Sequence, residues 1–172
     1  MLLCPYCGTE NIDGTDDCEE CGQPLVESHL APPKYQVERS LLNDRISVLS
    51  PQPPISVSPT TSIVDVLRLM VERRIGCVVV AENDRPIGIF SERDALRKIG
   101  ADAAQLASRP VREFMTPKPE TLVGDAKLAY AVQRMDSGGY RHLPIVGPQG
   151  ELVGIISARD ILRHLRESLE RG

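Results

Sequence analysis

The sequence predicts an α+β fold in which a β-α-β-β-α unit occurs twice, the copies packed as a pseudo-twofold pair behind a small cysteine-built domain. Three observations predict it. Shifted by 65 residues, Ile46 falls on Val111, Leu49 on Phe114, Pro54 on Pro119, Ile63 on Leu128, Leu67 on Val132 and Met70 on Met135. Within each copy the apolar period changes from helical to strand-like in the same order. Ahead of both copies stand two C-x-x-C-G turns in an acidic stretch, residues 1–33, that contains no Lys or Arg.

The turns are Cys4-Pro5-Tyr6-Cys7-Gly8 and Cys18-Glu19-Glu20-Cys21-Gly22, with ten residues between Cys7 and Cys18. Two residues between thiols let both sulfurs reach one tetrahedral ion at about 2.3 Å. The glycine after each second cysteine suits a tight turn. So short a segment has too little apolar surface to fold alone, and a metal would supply most of its stability. The pattern resembles a short zinc ribbon over residues 4–22. Cys4, Cys7, Cys18 and Cys21 are then the ligands, and the role is structural or the docking of a client protein. Zn2+ is preferred to iron, because rubredoxin-like sites space their turns more widely and pack aromatics around the metal. Two disulfides or four free thiols stand as alternatives. Met1-Leu2-Leu3 before the first cysteine has no secretory character, so a cytoplasmic, reducing location is expected, which favours metal over disulfide. The fifth cysteine, Cys77, opens the apolar run Cys77–Val80 and reads as a buried small hydrophobe.

Pro24 to Pro33 is polar and proline-bearing, a tether. Tyr35 to Leu49 predicts a short amphipathic helix through Val37, Leu41, Leu42 and Ile46, ended by Pro51, Pro53 and Pro54. The expected organisation is a cysteine domain over 1–24, a linker with a short helix over 25–43, and repeats over 44–108 and 109–172.

Each repeat begins with a short extended piece, at 55–57 and 120–123. A helix follows, with the stripe Ile63, Val66, Leu67, Met70 in the first copy and Leu128, Ala131, Val132, Met135 in the second. Asp125 is the expected N-cap of the second of these helices. Two apolar strands come next: 76–81 with 86–90, and 141–146 with 151–156. The second hairpin is one residue longer, so the offset becomes 66, and Ile87–Asp94 lies over Val153–Asp160. A last helix begins at Ser91 or Ser157.

This order, with the closing G-h-h-[ST]-x-x-D pattern in both copies, resembles the CBS domain family in tandem, a Bateman module. The resemblance spans about residues 44–169. It implies a regulatory protein that binds an adenosine-containing nucleotide (AMP, ADP or ATP, with S-adenosylmethionine a lesser candidate) in the cleft between the repeats. It further implies a homodimer, since such modules commonly pair into a disc of four repeats.

For Ser91 with Asp94, and Ser157 with Asp160, two readings stand open. S-x-x-D ahead of an apolar helical run is a capping box. The same helix start offers free amides and a positive dipole end to a phosphate. The resemblance adds that the matching Asp holds ribose hydroxyls and the matching Ser lies beside the sugar or phosphate. It also points to Arg141 and His142 in Tyr140-Arg141-His142-Leu143-Pro144 as phosphate contacts, and to Thr116 as a ligand contact. Arg93 and Arg159, next to the key aspartates, face either phosphates or solvent. The first copy has no base on its strand, and Pro51 stands where the second has Thr116. The two clefts are therefore expected to be unequal.

Composition excludes other classes. Net charge is −4, and the cysteine turns lie in a stretch with seven acids, which would repel a phosphate backbone. Aromatic content of 3% with no Trp leaves no stacking platform for single strands, so nucleic acid is not an expected partner. No apolar run approaches the roughly 20 residues of a membrane span. No P-loop or dinucleotide glycine fingerprint appears, and none of the three histidines is paired in sequence with a plausible nucleophile, so no enzymatic activity is expected. A ligand-free module, dimerising through the repeats and recruiting a client through the cysteine domain, is the alternative to a sensor.

Overall fold

The computed structural model describes residues 2–4, 7–12, 15–25 and 36–170, without the side chains of 36–39. Most of the expected tether, and Tyr35 at the expected start of the linker helix, lie outside the described residues. At the N-terminus β1 (Leu2–Leu3) pairs antiparallel with β2 (Glu10–Asn11). Helix α1 (Gln36–Asn43) follows.

The helix expected to continue to Leu49 stops at Asn43. The backbone beyond it is drawn into pairing with the second copy. Ile46 N–H donates to Ala126 O at 2.9 Å, and Leu128 N–H donates to Asp44 O at 2.8 Å. A separate 3-10 turn, Ile46–Leu49, then ends at Ser50 in the left-handed region, φ 49°. The same pairing displaces the start of α5 (Leu128–Gly138), whose N-cap position is Lys127, with no side-chain capping bond to the helix. Asp125, expected as that cap, instead lies 3.6 Å from Arg45 on the surface.

In the first copy β3 (Ser56–Val57) runs parallel to β4 (Cys77–Glu82), which pairs antiparallel with β5 (Arg85–Ser91). Between β3 and β4 lies α2 (Ile63–Arg73), capped by Ser62 Oγ accepting from Asp65 N–H. Asn83 and Asp84 take φ of 51° and 61°, the two-residue turn whose twist matches a hairpin. In the second copy β7 (Leu122–Val123), β8 (His142–Val146) and β9 (Leu152–Ser157) repeat the arrangement around α5. The closing helices differ. α6 (Ala158–Glu170) is continuous, whereas α3 (Glu92–Asp94) widens into a π-helical stretch, Ala95–Ile99. Gly100, at φ 45°, then breaks it before α4 (Ala103–Leu106).

The predicted stripes face the cores. Ile63, Val66 and Met70 pack with Val78, Val80 and Phe90, and Leu128, Ala131 and Met135 with Leu143, Ile145 and Ile156. Each core also takes in the lead-in of the other copy. Ile46 and Leu49 belong to the second core, while Val111, Phe114 and Met115 join the first. Strand β6 (Thr116–Pro117) completes the first sheet beside β5, and Gln52 exchanges backbone bonds with Ile155 at 3.2 and 3.1 Å. Burying Ile46 contributes about 1.5–3 kcal/mol to a core assembled mostly from the other copy. The pair is consequently one folding unit rather than two joined ones.

The repeated glycine marks the crossing points. A Cβ on Gly88 would overlap Met115 Sδ and lie 2.8 Å from its Cγ, and one on Gly154 would lie 3.0 Å from Pro51 Cβ. Among the described residues, no helix is long and apolar enough to cross a membrane.

Candidate ligand junctions and metal centre

Each β-hairpin ends where its last strand turns into a helix, and both turns carry Ser and Asp three residues apart. At the first, Asp94 Oδ2 accepts from Ser91 N–H at 3.0 Å and from Ser91 Oγ at 2.7 Å, and Ser91 Oγ accepts from Asp94 N–H at 3.4 Å. The capping box expected there is thus present. At the second, Asp160 Oδ2 accepts from Ser157 N–H at 2.8 Å and from Ser157 Oγ at 2.6 Å.

The other carboxylate oxygens differ. Asp94 Oδ1 accepts from Thr116 Oγ1 at 3.1 Å and meets Lys98 Nζ at 2.7 Å. Lys98 also donates to Phe114 O at 2.7 Å and Met115 O at 3.3 Å. Burial pushes the Asp94 carboxyl up, but the Lys98 and Ser91 hydrogen bonds outweigh it and hold the group below the usual carboxylate range. Asp160 Oδ1 lies 3.2 Å from Arg163, a side chain 53% exposed. Pro51, expected from sequence at the place of Thr116, packs on Gly154 as Met115 does on Gly88. Gln52, opposite Ile155 as Thr116 is opposite Ile89, takes that place, and its Nε2 donates to Ser50 O at 3.0 Å.

The remaining predicted residues fall between and around the junctions. His142, at the start of β8, reaches across to the first copy. Its Cε1 and Nε2 come within 3.4 and 3.5 Å of where a Gly76 Cβ would stand, and Glu92 Oε2 lies 3.5 Å from the same point. Burial pushes the His142 imidazolium down; the charges of Glu92 and Asp160 oppose this, and Arg141 and Arg159 add to it. Arg93 donates to Gly139 O at 3.3 Å, again across to the second copy. Arg141 and Arg159 are exposed. The Arg141 carbonyl accepts from Ala158 N–H at 2.9 Å, matching the bond from Glu92 N–H to Gly76 O at 3.0 Å. Cys77, the counterpart of His142, is buried, and its thiol is pushed up to about 12 by burial and then by Glu92. This matches a packed apolar residue rather than a reactive thiol.

The four N-terminal cysteines converge. Their sulfurs lie within 4.8 Å of one another, with Cys4–Cys21 at 3.7 Å and Cys7–Cys18 at 3.6 Å. A bonded disulfide needs about 2.05 Å, whereas four sulfurs at about 2.3 Å from one tetrahedral ion stand about 3.8 Å apart. The donor set fits a metal. Both turns close alike: Gly8 N–H donates to Cys4 O at 2.9 Å and Gly22 N–H to Cys18 O at 2.8 Å. Gly8 and Gly22 take φ of 76° and 65°, which only glycine adopts without strain. The Cys21 backbone N–H, bonded to Cys18, lowers that thiol to about 6, whereas burial raises the Cys21 thiol to about 12, so it is the sulfur geometry that favours a metal. Asn11 links the turns, accepting from Glu19 N–H at 3.0 Å. Tyr130 of α5 packs on the cluster, and its hydroxyl donates to Pro24 O at 3.4 Å.

The family model of the CBS domain matches residues 46–101 and again residues 111–167. The chain belongs to the CBS domain family. An uncharacterized protein of Methanopyrus kandleri (MK0525) is 37% identical over 110 residues, 63% of this chain and 56% of that protein. One of Methanocaldococcus jannaschii (MJ0653) is 35% identical over 118 residues, 69% of this chain and 60% of that one. The match thus spans under two thirds of either relative's own length. Among solved structures, CBS domain protein PAE2072 from Pyrobaculum aerophilum, complexed with AMP, superposes with a TM-score of 0.61 at 32% identity, covering 72% of this chain and 98% of that one.

Two residues at the CBS junctions were not anticipated from sequence. Lys98 is four residues beyond Asp94, a helical spacing that could have flagged the pair. Glu92 meets His142 only through tertiary packing, for which the sequence carries no local signal.

Proposed function

We propose that this CBS pair is a regulatory sensor of an adenosine-containing nucleotide, AMP, ADP or ATP, acting in the cytoplasm as a homodimer. The observation that carries the reading is the S-x-x-D junction built twice at the turn from strand to helix. It occurs in a chain 32% identical to a CBS protein crystallised with AMP. Asp160 would hold ribose hydroxyls with Ser157 beside the sugar, and Asp94, Ser91 and Thr116 form the corresponding set at the first junction. Arg141, Arg159 and Arg93 supply positive charge for phosphates, and His142 a ring N–H donor. Cys4, Cys7, Cys18 and Cys21 hold Zn2+, whose bound form fixes the N-terminal fold and supplies no chemistry to the nucleotide.

Sensing requires a ligand that binds two packings of the protein with different affinity. A physical connection from junction to zinc domain is available. From α6, His164 Nε2 lies 2.7 Å from Ser40 Oγ and 3.1 Å from Asp44 Oδ2 at the end of α1. The zinc domain itself rests on α5 through Tyr130. A client protein recognised by that domain would read the packing.

Mass spectrometry of the untreated protein under native conditions tests the reading. One zinc per chain, an adenine nucleotide and a dimer mass are expected. A metal-bearing dimer that takes up no added adenine nucleotide would favour the ligand-free interaction module instead.

A further inference from the structure

Deepening the sensor reading, and resting on it, we infer that Lys98 closes the first junction to nucleotides, so that each chain takes one nucleotide, at the second. A ribose hydroxyl needs a carboxylate oxygen with room to accept. Asp94 has none: Oδ2 already takes two hydrogen bonds from Ser91, and Oδ1 takes Thr116 and the Lys98 ammonium. The residue is only 8% exposed. Lys98 is not a loose surface partner. Its three donors reach Asp94 Oδ1, Phe114 O and Met115 O, so the ammonium is clamped between the helix and the lead-in strand. A nucleotide would have to break that set and leave the lysine without its counter-charge.

The second junction has no such group. The residue that corresponds to Lys98 at the offset of 66 is His164, and it is turned away to Ser40 and Asp44. Gln52 stands at the place of Thr116 and donates its side-chain amide to Ser50 O at 3.0 Å. Among the described residues, Asp160 Oδ1 has only Arg163, whose side chain is 53% exposed, a pair of the kind that solvent loosens readily. Arg141 on the neighbouring strand also belongs to this copy, whereas the His142 ring reaches across to Gly76, beside Glu92. The difference in carboxylate availability is what favours the second junction.

Calorimetric titration with AMP, on the full chain, separates the possibilities. Wild type is expected to bind one AMP per chain, and Asp160→Asn to lose that binding at least tenfold. Lys98→Met, which keeps the aliphatic stem and removes the charge, is expected to bind two. Should K98M fail to fold, Lys98→Gln is expected to show the same gain. Two AMP per wild-type chain, or one in both a folded K98M and wild type, would overturn the role of Lys98, as would retention of full binding by D160N. The same titration is run with ADP and ATP, and no binding of any of the three to wild type, K98M or K98Q would overturn the sensor reading itself, and this inference with it.

Discussion

Stripping the metal with a chelator is expected to unfold residues 2–25 while both CBS repeats stay folded. Among its described residues, that segment has almost no apolar core apart from the cysteines. Leu2, Leu3 and Ile12 are exposed, and its buried centre consists of Cys4 and Cys18, with Cys21, Leu25 and Tyr130 packed around them. In the proposed reading an ion holds it, and apparent zinc-binding free energies in small zinc-finger folds are about 10–16 kcal/mol at pH 7. The repeats have separate cores built on Phe90 and on Leu143 and Ile156, which no cysteine ligand enters. Amide hydrogen exchange reads the result. The Gly8 and Gly22 amides, bonded to Cys4 O and Cys18 O, should be protected with metal and exchange freely without it. The amides of β4 and β5 should not change. Persistent protection at Gly8 and Gly22 after chelation would mean that the fold does not depend on a metal.

Asp94→Ala should destabilise the ligand-free protein by about 2–3 kcal/mol. Breaking a fully buried ion pair costs about 3–5 kcal/mol, and the lower figure applies because the Lys98 side chain is 39% exposed and keeps two carbonyl partners. Asp160→Ala removes a cap and a surface ion pair only, and should cost about 1 kcal/mol. Urea unfolding of the two variants distinguishes them, and equal losses would count against the clamp. The pH dependence carries the same signature. The Asp94 carboxyl is held below its unfolded value, so the native state binds fewer protons than the unfolded chain as pH falls. Its contribution is complete above about pH 4, the ordinary carboxylate range, and declines as pH drops through the lowered folded value. D94A should lack that part of the acid slope.

Much of the fold was legible because it is written in local periods. The stripe Ile63, Val66, Met70 and its copy read as helices facing a core, and they do so. The cysteine turns were legible because ligand spacing and the following glycine are themselves local constraints. The exchange of lead-in segments was not, since Ile46 and Val111 are apolar wherever they pack, and only tertiary pairing assigns each to the other copy's core. Asp125 misled for the same reason: a good capping residue yields when backbone pairing at 44–46 with 126–128 sets the helix start. At the junctions, Ser91, Asp94, Ser157 and Asp160 stood out by motif, but Lys98 looks like any solvated helical lysine until the Phe114 and Met115 carbonyls are brought beside it. The expectation of unequal clefts rested on the base missing from the first strand and on Pro51; the crowding of Asp94 and the placing of Gln52 rather than Pro51 opposite Ile155 had no local signal.

The central claim, that the second-copy junction of this CBS pair takes an adenosine nucleotide, is tested most directly by thermal unfolding of the metal-loaded protein against AMP, ADP and ATP. A ligand present at 100 times its dissociation constant stabilises by about 2.7 kcal/mol, which for a chain of this size raises Tm by roughly 5–10 °C. At least one of the three is expected to give that rise in wild type and to lose it in D160N. An unchanged Tm with all three at millimolar concentration would contradict the account.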